Sequence, residues 1–461
     1  MESGIATQHE TEDRIFRRVA LRILPFLIVC YVVAYMDRVN VSLAKLQMLG
    51  DLKMSDTAFG LGAGIFFVGY FLCEVPSNLA MHKVGARFWI ARIMVTWGVI
   101  AAGVAFIGQI AAAFHLINAT VPFLTIRFLL GAAEAGFFPG LVLYLNYWFP
   151  TNRQGRVFSI LMAAQPLSFV IGLPIAGWLM EHLGGVWGVA GWRWMIAAEA
   201  LPAIILGGIV LLVLDDRPRE AAWLSSEDCA VVEGALAAER DTKADVPVLK
   251  ILSIPTIWVL TVCWFLIVVG VYGINFWLPT LIHNTGIQSN QSVGLLSAVP
   301  YIGCAIGMVC FCSMAEKLGL KTLFIAGFAV LSGVSLIASA YWGMLSIYVT
   351  LICMTAAMIG SMTSSALFWS LPGEKLTGRA AAAGIAAINS IGNLGGFCGP
   401  TILGILRDHF GSDQAGLVVL GCCLILSGVI ALLFFGHGKQ SGTAACRRSS
   451  HASTCPPTSP A

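Results

Sequence analysis

The sequence predicts an all-α polytopic membrane protein with twelve transmembrane helices in two pseudo-symmetric six-helix bundles. Three observations carry this expectation: a composition poor in charge, twelve apolar runs of membrane-crossing length, and one long polar interruption near the middle. Of 461 residues, 58% are hydrophobic and 11% charged, and the mean hydropathy is +0.84. Soluble domains carry about 25% charged residues, so this chain could not cover a soluble surface. A net charge of +3 gives no basic footprint for nucleic acid. The cysteines Cys30, Cys73, Cys263, Cys304 and Cys422 sit inside apolar runs as small hydrophobes, and no C-x-x-C pair occurs.

A helical span needs about 20 apolar residues. Residues 1–18 are polar and mixed in charge, a cytoplasmic N-terminal segment. The run at 19–43 is too long for a signal-peptide core and lacks a small-x-small cleavage site, so it is retained as span one. Further runs lie near 58–80, 88–110, 121–145, 156–180 and 192–214, completing an N-terminal bundle over 19–214. Residues 215–255 form the polar linker. Runs near 256–281, 292–314, 320–340, 344–370, 379–407 and 414–436 make a C-terminal bundle over 256–436. The Ser-, Pro- and Thr-rich remainder, 437–461, reads as a disordered cytoplasmic tail. Glycine and proline within several runs are compatible with membrane helices.

Charge placement orients the chain. With both termini in the cytoplasm, 21 of the 27 Lys and Arg fall on the inner side, including Arg14, Arg17, Lys83, Arg87, Arg153, Arg217, Lys317, Lys321 and Lys375. Lys45, Lys53, Arg193 and Arg407 fall outside, and Arg38 and Arg127 lie within the membrane. This is a strong positive-inside bias.

The two halves repeat. Gly60, Gly69 and Gly85 recur 234 residues later as Gly294, Gly303 and Gly319. GWLMEHLG at 177–184 returns as GILRDHFG at 404–411, and Trp148, Pro150, Gly155 and Arg156 return as Trp369, Pro372, Gly378 and Arg379. Repeated halves enclosing a mid-membrane solute site are a common plan of secondary transporters. No G-x-x-x-x-G-K-[ST] loop is present, so the chain shows no ATPase engine of its own, and H-E-x-x-H and G-x-S-x-G are absent. The expected energy source is an ion gradient, or the solute simply runs downhill, and no cofactor and no metal are expected. His115, His182, His283 and His409 fall at outer turns, where surface histidines are commonplace.

Charges in a bilayer core cost roughly 2.5–3.5 kcal/mol each on insertion scales. Asp37, Arg38, Glu74, Arg127, Glu134 and Glu199 are such charges, all in the N-terminal half. Arg127 and Glu134, seven residues apart, share a helix face about 10 Å apart, whereas the neighbours Asp37 and Arg38 point about 100° apart. One arrangement pairs Asp37 with Arg127 and leaves Arg38 facing the solute path; the bland alternative has all four neutralising one another as packing. A fixed guanidinium in a dry cavity is a good carboxylate receptor. Asp37 and Glu134 can take up and release protons as the cavity opens to either side, which would couple proton and anion flow. Glu74 and Glu199, close before Pro76 and Pro202, read better as helix-bend packing or paired charges. Tyr35, Tyr70 and Gln165 are candidate lining groups.

At these residues the sequence resembles the major facilitator superfamily, and within it the anion:cation symporter family of bacterial tartrate, phthalate, hydroxyphenylacetate and hexonate carriers. YMDRVNVSLAKLQM (35–48), FGLGAGIFFVGYFLCEVPSNL (59–79), RFLLGAAEAGFFPG (127–140), GWRWMIAAEALPA (191–203) and DDRPREAAWLSSED (215–228) carry the resemblance. The tartrate branch looks closest. The resemblance implies proton-coupling roles for Asp37 and Glu134, anion binding by Arg38, and a supporting charge at Arg127. It implies that Tyr35, Tyr70, Gln165, Trp369 and Asn389 line the cavity. The superfamily's loop between spans two and three is degraded, with Asn78 and His82 at its Gly and Asp places, but Lys83, Gly85 and Arg87 remain. Its second copy keeps Glu316, Lys317, Gly319 and Lys321, and the resemblance makes these charges a cytoplasmic gate.

The resulting expectation is a non-enzymatic, proton-coupled importer of a small organic carboxylate such as tartrate or a sugar acid. It is expected to work as a monomer in a bacterial inner membrane, its partners being the anion, protons and the bilayer. The alternative is a facilitator or efflux antiporter for neutral or drug-like solutes. Arg38 speaks against it, as does the only partial match of Gly172, Pro174 and Gly177 to the antiporter pattern.

Overall fold

A computed structural model describes residues 2–237, 253–375 and 379–435. The middle of the linker (238–252) and the tail 437–461 lie outside the described residues, with Arg240, Lys243, Lys250, Lys439, Arg447 and Arg448. The described chain is all-helical. Eleven of its helical segments are long and apolar enough to cross a membrane. The twelfth expected span, 379–407, is present as two shorter helices in succession.

The N-terminal half comprises α1 (Glu2–Leu52), α2 (Asp56–Val84), α3 (Ala86–Val104), α4 (Ile107–Ala113), α5 (Thr120–Glu134), α6 (Phe137–Asn146), α7 (Thr151–Met162), α8 (Ala164–His182) and α9 (Gly191–Val213). A single helix, α1, holds both the polar N-terminal segment and span one. Spans four and five are each built from two helices, α5 with α6 and α7 with α8. The linker starts with α10 (Ser226–Ala237), which packs on α1. There Trp223 donates through Nε1 to Asp215 at 3.0 Å and stacks on Trp148, centroids 5.7 Å apart.

The C-terminal half comprises α11 (Pro255–Asn284), α12 (Asn290–Leu318), α13 (Lys321–Trp342), α14 (Ile347–Phe368), α15 (Ser370–Lys375), α16 (Arg379–Gly392), α17 (Gly395–Phe410) and α18 (Gln414–Phe435). Each half packs internally, α2 on α5 and α3 on α9, then α13 on α14 and α18. The halves meet along α2 with α17, α8 with α12, and α1 with α11.

The sequence repeat is visible as matched local structure. Ser55 caps α2 and Ser289 caps α12, each side chain accepting from the backbone N–H three residues on, at 3.1 and 3.2 Å. Of the repeated glycines, Gly60 and Gly294 are points of close approach between the halves. A methyl placed on Gly60 would lie 2.4 Å from the Pro400 carbonyl oxygen, and one on Gly294 would lie 2.4 Å from that of Leu173. These contacts close the end of the molecule opposite the linker, here called the far end.

Candidate functional site

Adjacent positions on α1 send Asp37 and Arg38 different ways. Arg38 lines a cavity of about 740 Å³ between the halves. Asp37 is buried beside Asn40 and Trp97, away from the cavity wall. The partner of Arg38 is Glu134, whose Oε1 accepts from Nη2 in a close ion pair. Nη1 also approaches the Tyr272 hydroxyl at 3.5 Å. Span four breaks directly after Glu134: Ala135 is extended at ψ 130° and Gly136 stands at φ +87°. The break leaves the carboxylate at a helix end, facing the guanidinium. Interrupted spans around a mid-membrane site are a recurring feature of transporters.

The direct Asp37–Arg127 pairing expected from the sequence does not form. Arg127, 1% exposed, donates instead through Nε to the Gly62 carbonyl at 3.1 Å. Its guanidinium carbon lies 5.2 Å from the Phe66 ring centre. Phe66 is also 5.1 Å from the Arg38 guanidinium, so both cations neighbour one ring, but only Arg38 lines the cavity. Arg127 therefore sits behind the wall rather than on it.

Tyr35, Tyr70, Gln165, Trp369 and Asn389 all line the cavity. Tyr35 and Tyr70 flank Arg38, their ring centres 4.9 and 5.8 Å from its guanidinium carbon. Asn389 accepts from Asn393 at 3.3 Å where span eleven steps from α16 to α17. Trp369 sits edge-on to Trp264 at 4.8 Å. Glu74, read from the sequence as packing, also lines the cavity and accepts from Ser390 at 3.3 Å across the two halves.

Towards the linker end the wall extends to Glu316 in the last turn of α12. Lys83 and Lys317 are exposed there. Arg87 is held within its own half, its backbone N–H on Asp216 at 2.8 Å and its side chain on the Leu211 carbonyl. Among the described residues no hydrogen bond or ion pair joins Lys83 or Arg87 to Glu316, Lys317 or Lys321.

The far end holds the cross-half contacts that sequence reasoning missed. Asp408 on α17 accepts from the backbone N–H groups of Asp56 (3.2 Å) and Thr57 (2.7 Å) at the start of α2. In mirror fashion Glu181 on α8 accepts from Asn290 N–H at the start of α12, at 2.8 Å. Anionic side chains are stabilised at such helix starts. Asp56 also pairs with Lys45 at 2.6 Å and with Arg407 at 3.1 Å, and Arg407 continues to Asp413 at 2.7 Å. The signal was present in the repeat: Glu181 and Asp408 hold the same place in GWLMEHLG and GILRDHFG.

Two helical halves closed at one end around a charged mid-membrane cavity define a secondary transporter. The chain belongs to the Major Facilitator Superfamily, whose profile matches residues 27–400. It is 44% identical over 94% of its length to a protein of Agrobacterium vitis provisionally named a tartrate transporter, 97% of which is covered. A "Quinolone resistance transporter" of Acinetobacter baumannii is 36% identical, with 94% of this chain and 97% of that one covered. Among solved structures, a bacterial homologue of the human lysosomal transporter Spinster, inward-facing and occupied, superposes with a TM-score of 0.70 at 15% identity. That match covers 89% of this chain and 96% of the other.

Proposed function

We propose that the chain is a proton-coupled symporter that takes up a small organic carboxylate anion by alternating access. The Arg38–Glu134 pair on the cavity wall carries this reading. A guanidinium is permanently charged and binds carboxylates in a fixed geometry. In the cavity its acceptor is Glu134, so an incoming carboxylate must take the place of that residue. Protonation of Glu134 removes its claim on Arg38, and substrate entry then becomes linked to proton entry. Asp37, buried one residue away, is a second proton-exchanging group, and Arg127 keeps positive charge behind the cavity wall.

Tyr35, Tyr70, Gln165, Trp369 and Asn389 would border the anion. The basic bias puts the linker end and both termini in the cytoplasm of a bacterial inner membrane, with the cavity facing inward. Lys83, Arg87, Glu316, Lys317 and Lys321 would close that side when the far end opens, and one chain suffices for the cycle. The name of the Agrobacterium relative supports an acid such as tartrate.

Uptake into proteoliposomes under an imposed inward proton gradient tests the reading. Asp37→Asn and Glu134→Gln should each abolish uphill accumulation. Full accumulation by both variants would sink it. The second reading, export of neutral or drug-like solutes, draws on the cavity's aromatic rings and on the quinolone-resistance relative. It requires gradient-driven movement of an uncharged solute that survives Arg38→Gln.

A further inference from the structure

We infer that the carboxylate carried here is an aromatic monoacid rather than a hydroxylated dicarboxylate. The inference rests on the carboxylate reading above and narrows it. Three observations of the cavity carry it.

The first is its charge. Among the described lining residues the wall holds one cation, Arg38, against three carboxylates, Glu74, Glu134 and Glu316. Arg127 does not line the space and is 1% exposed. One carboxylate can therefore be matched by Arg38. A second would meet a wall whose remaining formal charges are negative, and like charges focused in one cleft repel.

The second is the setting of Arg38. Its guanidinium carbon lies within 6 Å of three ring centres, Tyr35, Phe66 and Tyr70. An anion docked on this group is flanked by rings on entry.

The third is the composition of the walls on both halves. Phe67 of α2 meets Tyr272 of α11 at 4.3 Å between centroids, and Phe169 of α8 stacks on Tyr301 of α12 at 4.2 Å. Trp264 and Trp369 form a further aromatic corner. Each of these rings borders the cavity. Tartrate would lay two hydroxyls and a second carboxylate against them. An aromatic acid places one carboxylate on Arg38 and its ring among rings, where offset and edge contacts are favourable.

The test is calorimetric titration of the purified full-length protein with benzoate, tartrate and benzamide, the neutral isostere of benzoate. Benzoate should bind at least tenfold more tightly than either of the others, and Phe169→Leu should weaken benzoate at least tenfold and tartrate less. Tartrate binding more tightly than benzoate overturns the inference and leaves the carboxylate reading standing. Benzamide binding as tightly as benzoate overturns both. Failure of benzoate to bind overturns the inference as well.

Discussion

Adding one methyl at Gly60 and one at Gly294 should drive the molecule out of the conformation described here. The two glycines hold equivalent places in α2 and α12, 234 residues apart. In each case a β-carbon would stand 2.4 Å from a backbone carbonyl oxygen of the opposite half, Pro400 for Gly60 and Leu173 for Gly294. Because the obstructing atoms are backbone, relief requires movement of a helix rather than a side-chain rotation. Overpacking of this kind costs about 1–3 kcal/mol per site. The cost falls only on the state in which the far end is closed, so each substitution should shift the balance towards the far-end-open state by about 5- to 150-fold.

The shift is measurable with spin labels at the exposed positions Lys53 and Gln288, one in each half at the far end, in a background stripped of reactive cysteines. Gly60→Ala and Gly294→Ala should each move population to longer distances. The double variant should move more, since the sites are separate and their effects close to additive. An unchanged distance distribution in the double variant, with thermal stability also unchanged, would refute the view that these glycines set the far-end closure.

Other consequences are open to simpler measurements. Asp408→Asn removes the charged acceptor at the start of α2 and should lower stability of the far-end-closed state by about 0.5–2 kcal/mol, read from far-end label distances. Glu181→Gln should act likewise at the start of α12. Arg38→Lys keeps the charge but loses the planar fork, and carboxylate binding should fall at least about tenfold in a titration, corresponding to roughly 1.4 kcal/mol. Trp223→Ala removes the hydrogen bond to Asp215 and the stack on Trp148, so limited proteolysis should cut the linker between 215 and 237 faster than in the parent.

What could be read from the sequence followed the cost of burying charge. Asp37, Arg38, Arg127 and Glu134 stood out because each needs a reason to be in a bilayer, and a hydropathy scan finds such residues without knowing their neighbours. Their pairing was another matter. Helical periodicity relates residues on one helix, and it put Arg127 and Glu134 on one face. It says nothing of which helix lies opposite, so Arg38 meeting Glu134 across 96 positions had to come from the fold. The break after Glu134 was hidden too, since glycine within a span is common in membrane helices. Tyr272, Tyr301 and Trp264 escaped notice because aromatic residues in apolar runs are ordinary; only their convergence from α11 and α12 makes a wall. The far-end contacts were half legible. The repeat marked Glu181 and Asp408 as equivalent, but the helix starts they cap belong to the other half.

The geometry of α1 shows why a site and a closure so far apart belong to one device. Arg38 and Lys45 are seven residues apart, so they share a helix face about 10 Å from one another along the axis. Arg38 pairs with Glu134 in the cavity, whereas Lys45 pairs with Asp56 and lies 3.7 Å from the Trp277 ring centre on α11. Asp56 in turn holds Arg407 of the opposite half. Coupling between sites requires an element whose alternative arrangements both sites bias. A rotation or tilt of α1 that followed Arg38 as it exchanged Glu134 for a substrate carboxylate would also move Lys45 against Asp56 and Trp277. On the proposed function, the cation that would receive the anion and the cation that anchors the far-end network are thus fixed to one helix, and protonation of Glu134 would act on the far-end closure through two helical turns.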